Sequence, residues 1–284
     1  MKIATFLLTL FLSTILFSQK DKAFQLYSIS GKKANYKQLL KQAAAADVVL
    51  FGEYHDNPIA HWLELELLID LFALKKDKLV LSFEMFEQDQ QTVLNDYLSG
   101  KIDEKTFQSA ARLWPNYETD YKPLVDFAMK KKITCVAANI ERKYASLLFK
   151  KGRYALDTLS MTIKSQMADI NFPVDTTLSQ YQAIREMGGH QGTNMVEAQA
   201  IKDATMAKFI LKGLNGKEQV YHINGAFHSD YHQGIEWYLK RSNPQLTVFT
   251  ISTVTQENIE NLDAENKGKA DIIICVPERM TRTH

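Results

Sequence analysis

Cysteine is nearly absent: Cys135 and Cys275 are the two in 284 residues. A disulfide framework is thereby excluded, and a single bridge is the most the chain could form. Both thiols lie inside apolar runs, Ile133–Ala138 and Ile272–Val276, and read as buried strand residues. A bridge between them would need those two strands to be neighbours. Charge of one sign is also lacking. Lys and Arg number 34 against 33 Asp and Glu, with no basic block. Nucleic acid is therefore not an expected partner. There is no internal repeat, no low-complexity tract and no interdomain linker, which argues against a solenoid or a tethered array.

Long apolar runs are missing except at the N-terminus. There Lys2 precedes Ile3–Phe17, a run of 15 mainly apolar residues. That is short for a membrane span and fits a signal peptide, with cleavage after Ser18. The expectation is an exported, periplasmic protein whose residues 1–18 are removed. No cysteine lies near the cut, so a lipid anchor on a lipobox cysteine is not expected.

What is present is ordinary globular composition, 45% hydrophobic and 24% charged, with length for a sizeable core. Apolar, β-branched runs recur at Val48–Phe51, Leu79–Phe83, Ile133–Ala138, Val220–Ile223, Leu246–Ile251 and Ile272–Val276. Between them, Ile59–Leu74, Tyr121–Lys131 and Ala198–Lys212 carry helical spacing. This alternation predicts an α/β fold, a mostly parallel sheet covered by helices. Asn57 and Pro58 form a start signal for the helix at Ile59. Residues 19–284 read as one α/β domain, with helical insertions at about 88–120 and 144–194.

Two strands end alike. Gly52-Glu53-Tyr54-His55 closes the first run and Gly225-Ala226-Phe227-His228 closes the fourth. Strand ends are where an α/β sheet delivers side chains into a crevice. The second strand adds Glu84, and the third leads to Glu141 and Arg142. Two histidines, two carboxylates and an arginine on one edge make a mixed nitrogen–oxygen site. Such a set suits a divalent metal held by Glu53, His55 and His228. It also suits general-base attack by water from Glu53 or Glu84, with Arg142 steadying an oxyanion. An acid rarely ends a buried strand unpaired, so Glu84 needs a partner, and Arg142 is one candidate. His61 is six residues beyond His55 and could face the same crevice. His222, inside a strand, reads as a core hydrogen-bonding residue. Tyr54 and Tyr121 each sit beside a motif, and tyrosine oxygen is a known ligand of ferric haem.

Several blocks together resemble a known family. They are Phe51–Pro58, Phe83–Gln91, Tyr121–Ala128, Ala138–Arg142, Ala198–Ala207 and Asn224–His228, in family order over most of the chain after residue 18. The chain resembles the ChaN-like haem-binding uptake proteins of the Tiki/TraB superfamily. That resemblance implies an exported bacterial protein that binds haem, serves iron acquisition and associates around haem as a dimer. Tyr54, His55, His61 and Tyr121 are then the candidate haem-binding residues, and a membrane haem transporter is the implied partner. The wider superfamily implies a second reading, a metal-dependent hydrolase using Glu53, His55, Glu84, Arg142 and His228. A third treats the polar cluster as a buried structural network. The chain departs from the family by lacking a lipobox cysteine and by having His61-Trp62 where paired histidines are common.

Overall fold

The computed structural model describes residues 22–284. The expected leader at residues 1–18 lies outside them. Eight strands form one sheet: β1 (Gln25–Ser28), β2 (Lys33–Ala34), β3 (Val48–Glu53), β4 (Leu79–Glu87), β5 (Thr134–Asn139), β6 (Gln219–Gly225), β7 (Val248–Gln256) and β8 (Ile272–Pro277). Their order is β2-β1-β8-β7-β3-β6-β4-β5. β8 through β5 are parallel, and β1 runs antiparallel to β8 and β2 at one edge. The α/β expectation is met, with this antiparallel edge added.

Central strands read as unbroken apolar runs because both of their faces are covered. Along β3, Val49 and Phe51 enter one core, while Val48 and Leu50 enter the other. Each such side chain, fully buried, contributes ~1.5–3 kcal/mol. The first core lies under α1 (Tyr36–Ala45), α2 (Pro58–Lys75), α3 (Gln91–Leu98), α4 (Glu104–Ala110) and α5 (Lys122–Lys131). The second lies under α6 (Arg142–Lys151), α7 (Met161–Ser165), α8 (Ser179–Met187), α9 (Gly192–Leu214) and α10 (Ile235–Ser242).

Helix starts follow local chemistry. The Asn57 side chain accepts from the N–H groups of Ile59 and Ala60, at 3.0 and 3.1 Å, with Pro58 at the first turn of α2. Asn35 and Gln38 cap each other at the start of α1. The segments 88–120 and 144–194 contain helices and turns and no strand.

Cys135 is in β5 and Cys275 in β8, and both are free and buried. Four strands lie between β8 and β5 in the sheet order, so the two thiols cannot meet. Among the described residues, no helix is long and apolar enough to cross a membrane.

Chain connectivity places the site. β3 leads into α2 on the first face, whereas β6 leads toward α10 on the second. β3 and β6 are adjacent at the centre of the sheet. Connections that leave two neighbouring parallel strands for opposite faces open a crevice at their carboxyl ends.

Candidate functional site

β3 and β6 close against each other through glycine. A side-chain carbon at Gly52 would meet the Ile251 carbonyl oxygen at 2.8 Å and the Ala226 Cα at 2.9 Å. One at Gly225 would meet the His55 ring at 2.8 Å. Both positions need glycine for room rather than for an unusual backbone angle.

Glu53 ends β3 and points into the first core. One oxygen, Oε1, accepts from His55 Nδ1 and from the Tyr121 hydroxyl, each at 2.7 Å. His61 Nδ1 lies 3.0 Å from the other oxygen and 3.2 Å from Glu64 Oε2. The remaining His61 nitrogen faces the His55 carbonyl oxygen at 3.1 Å and Asp120 Oδ2 at 3.3 Å. Asn116 ties this group together, donating to the His55 carbonyl at 2.8 Å and to Asp120 at 2.7 Å.

Charges follow from this geometry. Burial opposes ionisation of Glu53, but hydrogen bonds from His55 and His61 hold its carboxyl at about 2. Burial also opposes a charge on His61, and Glu64 and Glu53 outweigh it, pushing the imidazole up to about 11. Glu64 is pushed well above the carboxylate range, by burial first and by Glu53 second. Of the two glutamates beside His61, burial and mutual repulsion thus favour the charge on Glu53 and the proton on Glu64.

A second polar chain lies on the other side of Gly225. Glu84 Oε2 accepts the Gly225 N–H at 2.8 Å, and Glu84 Oε1 faces His228 Nε2 at 3.1 Å. His228 Nδ1 donates to Asp203 of α9, and Asp203 accepts the Tyr181 hydroxyl at 2.7 Å. The Gln199 amide approaches the same Nδ1 at 2.8 Å. Burial works against the charge on His228, yet Glu84 and Asp203 raise it to about 10. Despite its burial, Glu84 is held below the usual carboxylate range by His228.

His55 connects these interiors to solvent. Its side chain is 37% exposed, and its ring meets the edge of Trp114 at 4.8 Å between centroids. Tyr54, His55, Asp56, Gln199, Phe227 and His228 line an open groove of about 460 Å³. Glu53 also reaches that lining. Phe227, 40% exposed, gives it an apolar wall. Beyond Trp114 is another groove of about 680 Å³, bordered by Glu87, Arg112, Glu141, Arg142 and Lys143.

The predicted residues are thus distributed as follows. Glu53, His55, Glu84 and His228 gather around Gly225. Tyr54 lines the groove beside them. His61 and Tyr121 are buried behind Glu53 and reach no groove. Arg142 is exposed in the second groove and is not the partner of Glu84; that partner is His228, with the Gly225 N–H. Arg142 is held off because β4 continues past Glu84 to Glu87, whose carboxylate accepts the Arg142 N–H at 3.0 Å.

Among the described residues, two groups of three acidic or histidine side chains bring their donor atoms within 4.8 Å of one another: Glu53–His61–Glu64 and Glu87–Asp89–Glu141. Glu53, His55 and His228 are not such a group. A cation in the Glu53–His61–Glu64 group would compete with protons, since both His61 and Glu64 are raised above their ordinary values. His222 donates or accepts at Ser82 Oγ, 2.8 Å away, within the sheet, and burial pushes its pKa down to about 3.

Glu64, Asn116, Asp120, Tyr181, Gln199 and Asp203 were not expected. Two of them had a signal. Glu64 is an acid one helical turn after His61 in an apolar helix, and Asp203 shares a face with Ala200 and Ala207.

Residues 39–239 match the model of a family described as haem-binding uptake, Tiki superfamily, ChaN. The chain belongs to this family. Among solved structures, it is similar to ChaN of Campylobacter jejuni, described as binding haem cofacially. That likeness has a TM-score of 0.68 at 16% identity, over 90% of this chain and 98% of that one. A succinoglycan biosynthesis protein matches with a TM-score of 0.52 at 9% identity, over 90% and 94% of the two chains. A mutant erythromycin esterase in its open conformation matches with a TM-score of 0.51 at 9% identity, over 88% and 97%. At such identities these likenesses speak to the fold alone. A search of curated proteins finds no match.

Proposed function

We propose that the protein binds haem in the groove at the carboxyl ends of β3 and β6, with His55 as the axial donor. One observation carries this reading. His55 is a half-exposed imidazole whose Nδ1 is fixed by the buried, ionised Glu53, leaving Nε2 beside Gly225. A carboxylate on the far nitrogen sets the tautomer and raises the basicity of the ligating one. When bound, haem supplies an iron that accepts imidazole or phenolate as axial ligand.

The residues fit such a group. Trp114 packs against His55 and Phe227 lines the same groove, both giving apolar surface, and the groove is large enough for a drug-sized ligand. Tyr54 lines the same groove and is the second axial candidate. Tyr121 is closed off, with its hydroxyl committed to Glu53, and burial pushes its ionisation far above the ordinary value. His61 has both nitrogens engaged.

The family description, haem-binding uptake, supports a role in iron or haem acquisition. In this reading the chain is exported to the periplasm, pairs with a second copy around haem, and passes haem to a membrane transporter.

Hemin titration followed by visible absorption tests it. The expected result is a saturable Soret shift, weakened at least about tenfold by His55→Ala. A wild-type chain with no saturable shift would overturn the reading.

A second reading is favoured by one arrangement, the imidazolium of His228 clamped between Glu84 and Asp203 beside an open groove. In a metal-dependent hydrolase, His228 would deliver a proton, and Glu53 or Glu84 would orient the attacking water. An ester substrate assayed with added Zn²⁺ or Mn²⁺ separates the two readings. Turnover lost in Glu84→Gln and retained in His55→Ala would favour hydrolysis.

A further inference from the structure

The second groove is lined by three cations, two carboxylates and Trp114, and among the described residues only one of those cations is unpaired. Arg112 is held by Glu87 at 2.7 Å and also by Asp89. Lys143 is paired with Glu141. The guanidinium of Arg142 has no ion-pair or hydrogen-bond partner among the described residues, although its backbone N–H is fixed on Glu87. Its side chain is exposed and lines the groove.

This groove adjoins the His55 groove through Trp114, whose ring packs edge-on against His55 and which also lines the Arg142 pocket. Both grooves open along the end of β4, where Glu84 sits next to Gly225 and His55, and Glu87, three residues on, holds the Arg142 backbone.

We propose that Arg142 anchors a carboxylate of the bound tetrapyrrole, so that the site selects an anionic macrocycle over a neutral one. This inference rests on the haem reading and adds to it the chemical class of ligand and the residue that selects it. A planar guanidinium without an internal partner is preorganised for a bidentate carboxylate. Glu87 and Glu141 work against such binding, but each already has a cation of its own. The guanidinium of Arg142 is therefore the charge left to compensate a ligand.

The test compares hemin with hemin dimethyl ester, which has the same macrocycle without the carboxylate charges. Both are titrated into wild type, Arg142→Ala and Arg142→Lys, with Soret absorbance as readout. Wild type should bind hemin more tightly than the ester. Arg142→Ala should weaken hemin roughly three- to tenfold and leave the ester unchanged. Arg142→Lys should recover part of the loss, since it restores the charge without the fork. Equal loss for both ligands, or no loss for hemin, overturns the anchor while leaving haem binding intact. Failure of wild type to bind hemin at all overturns the haem reading itself, and the two failures are thus distinct. Because the Arg142 side chain is exposed and unpaired, the variants should melt with wild type. A melting shift with equal loss of both ligands would mark a structural role and count against the proposal.

Discussion

The His55 ring fills the space that a side chain at Gly225 would need, 2.8 Å from where its Cβ would stand. The first glycine–histidine motif is thus packed against the glycine of the second. Gly225→Ala should push the imidazole away from the groove wall. The strand itself would survive, since Gly225 has no left-handed backbone angle. Hemin affinity should fall at least about tenfold with a stability loss of ~1–3 kcal/mol from overpacking. Paired hemin titration and thermal melts check this. Unchanged affinity would mean that the ring position is not what binds iron.

Tyr121 and His55 share one oxygen of Glu53 and should behave in opposite ways. Tyr121→Phe removes a buried hydrogen bond and should cost ~1–2 kcal/mol of stability. Its haem complex should keep the wild-type Soret position, because the hydroxyl faces no groove. His55→Ala should shift that position while costing less stability. A Soret change confined to Tyr121→Phe would reverse this assignment.

Glu53 and Glu64 are both buried acids, yet their amide replacements should differ. Burial and Glu53 raise the Glu64 carboxyl well above its ordinary value, so Glu64→Gln mimics the favoured form and should change stability by less than about 1 kcal/mol. Glu53→Gln removes the carboxylate that faces Nδ1 of the His61 imidazolium, leaving Asp120 on the far nitrogen, and should cost ~3–5 kcal/mol. Urea denaturation at pH 7 measures both. Equal losses would show that the proton sits elsewhere.

The pH dependence has two arms. Glu53 is depressed from 4.5 to about 2, so its contribution is complete above 4.5 and is lost as pH falls through 2. His61 and His228 are raised from 6.5 to about 11 and about 10. Their contributions are complete below 6.5 and are lost as pH rises through those values. The raised carboxyl of Glu64 adds to the alkaline loss above 4.5. Melting temperature should therefore peak at about pH 4.5–6.5 and decline on both sides. Glu64→Gln should flatten the alkaline arm. A plateau to pH 9 in wild type would contradict the charge assignment.

Much of this architecture is written locally in the chain. β3, β4, β5, β6 and β8 are continuous β-branched or apolar runs because their faces are covered on both sides, and such runs need no context to be seen. β1 was not visible, since four residues with two partly exposed carry little pattern, and its partner in β8 is 250 residues away in the Gln25–Cys275 pair, beyond any local signal. β7 starts at Val248 rather than Leu246, because Leu246 packs instead in the second core after the turn at Asn243. In the site, the residues at strand ends were legible because strand ends aim at the crevice. The helix-borne groups were not: Asp203 and Glu64 became site residues only through packing, which brings α9 against His228 and α2 against Glu53. Arg142 shows the converse. It follows the third strand in sequence, but β4 outlasts Glu84 by three residues and sets it apart.

The position of β6 between β3 and β4 also governs when the site can exist. A ribosome has released β3, β4 and every helix through α9 before Gln219 emerges, yet Glu53 and Glu84 belong to strands that do not touch without β6. Until that strand is inserted, Glu84 lacks both the Gly225 N–H and His228, and His55 lacks its wall. Contacts of such sequence separation form slowly. The assembled site is consequently a property of the finished chain, and a partly made one carries only its Glu53 half.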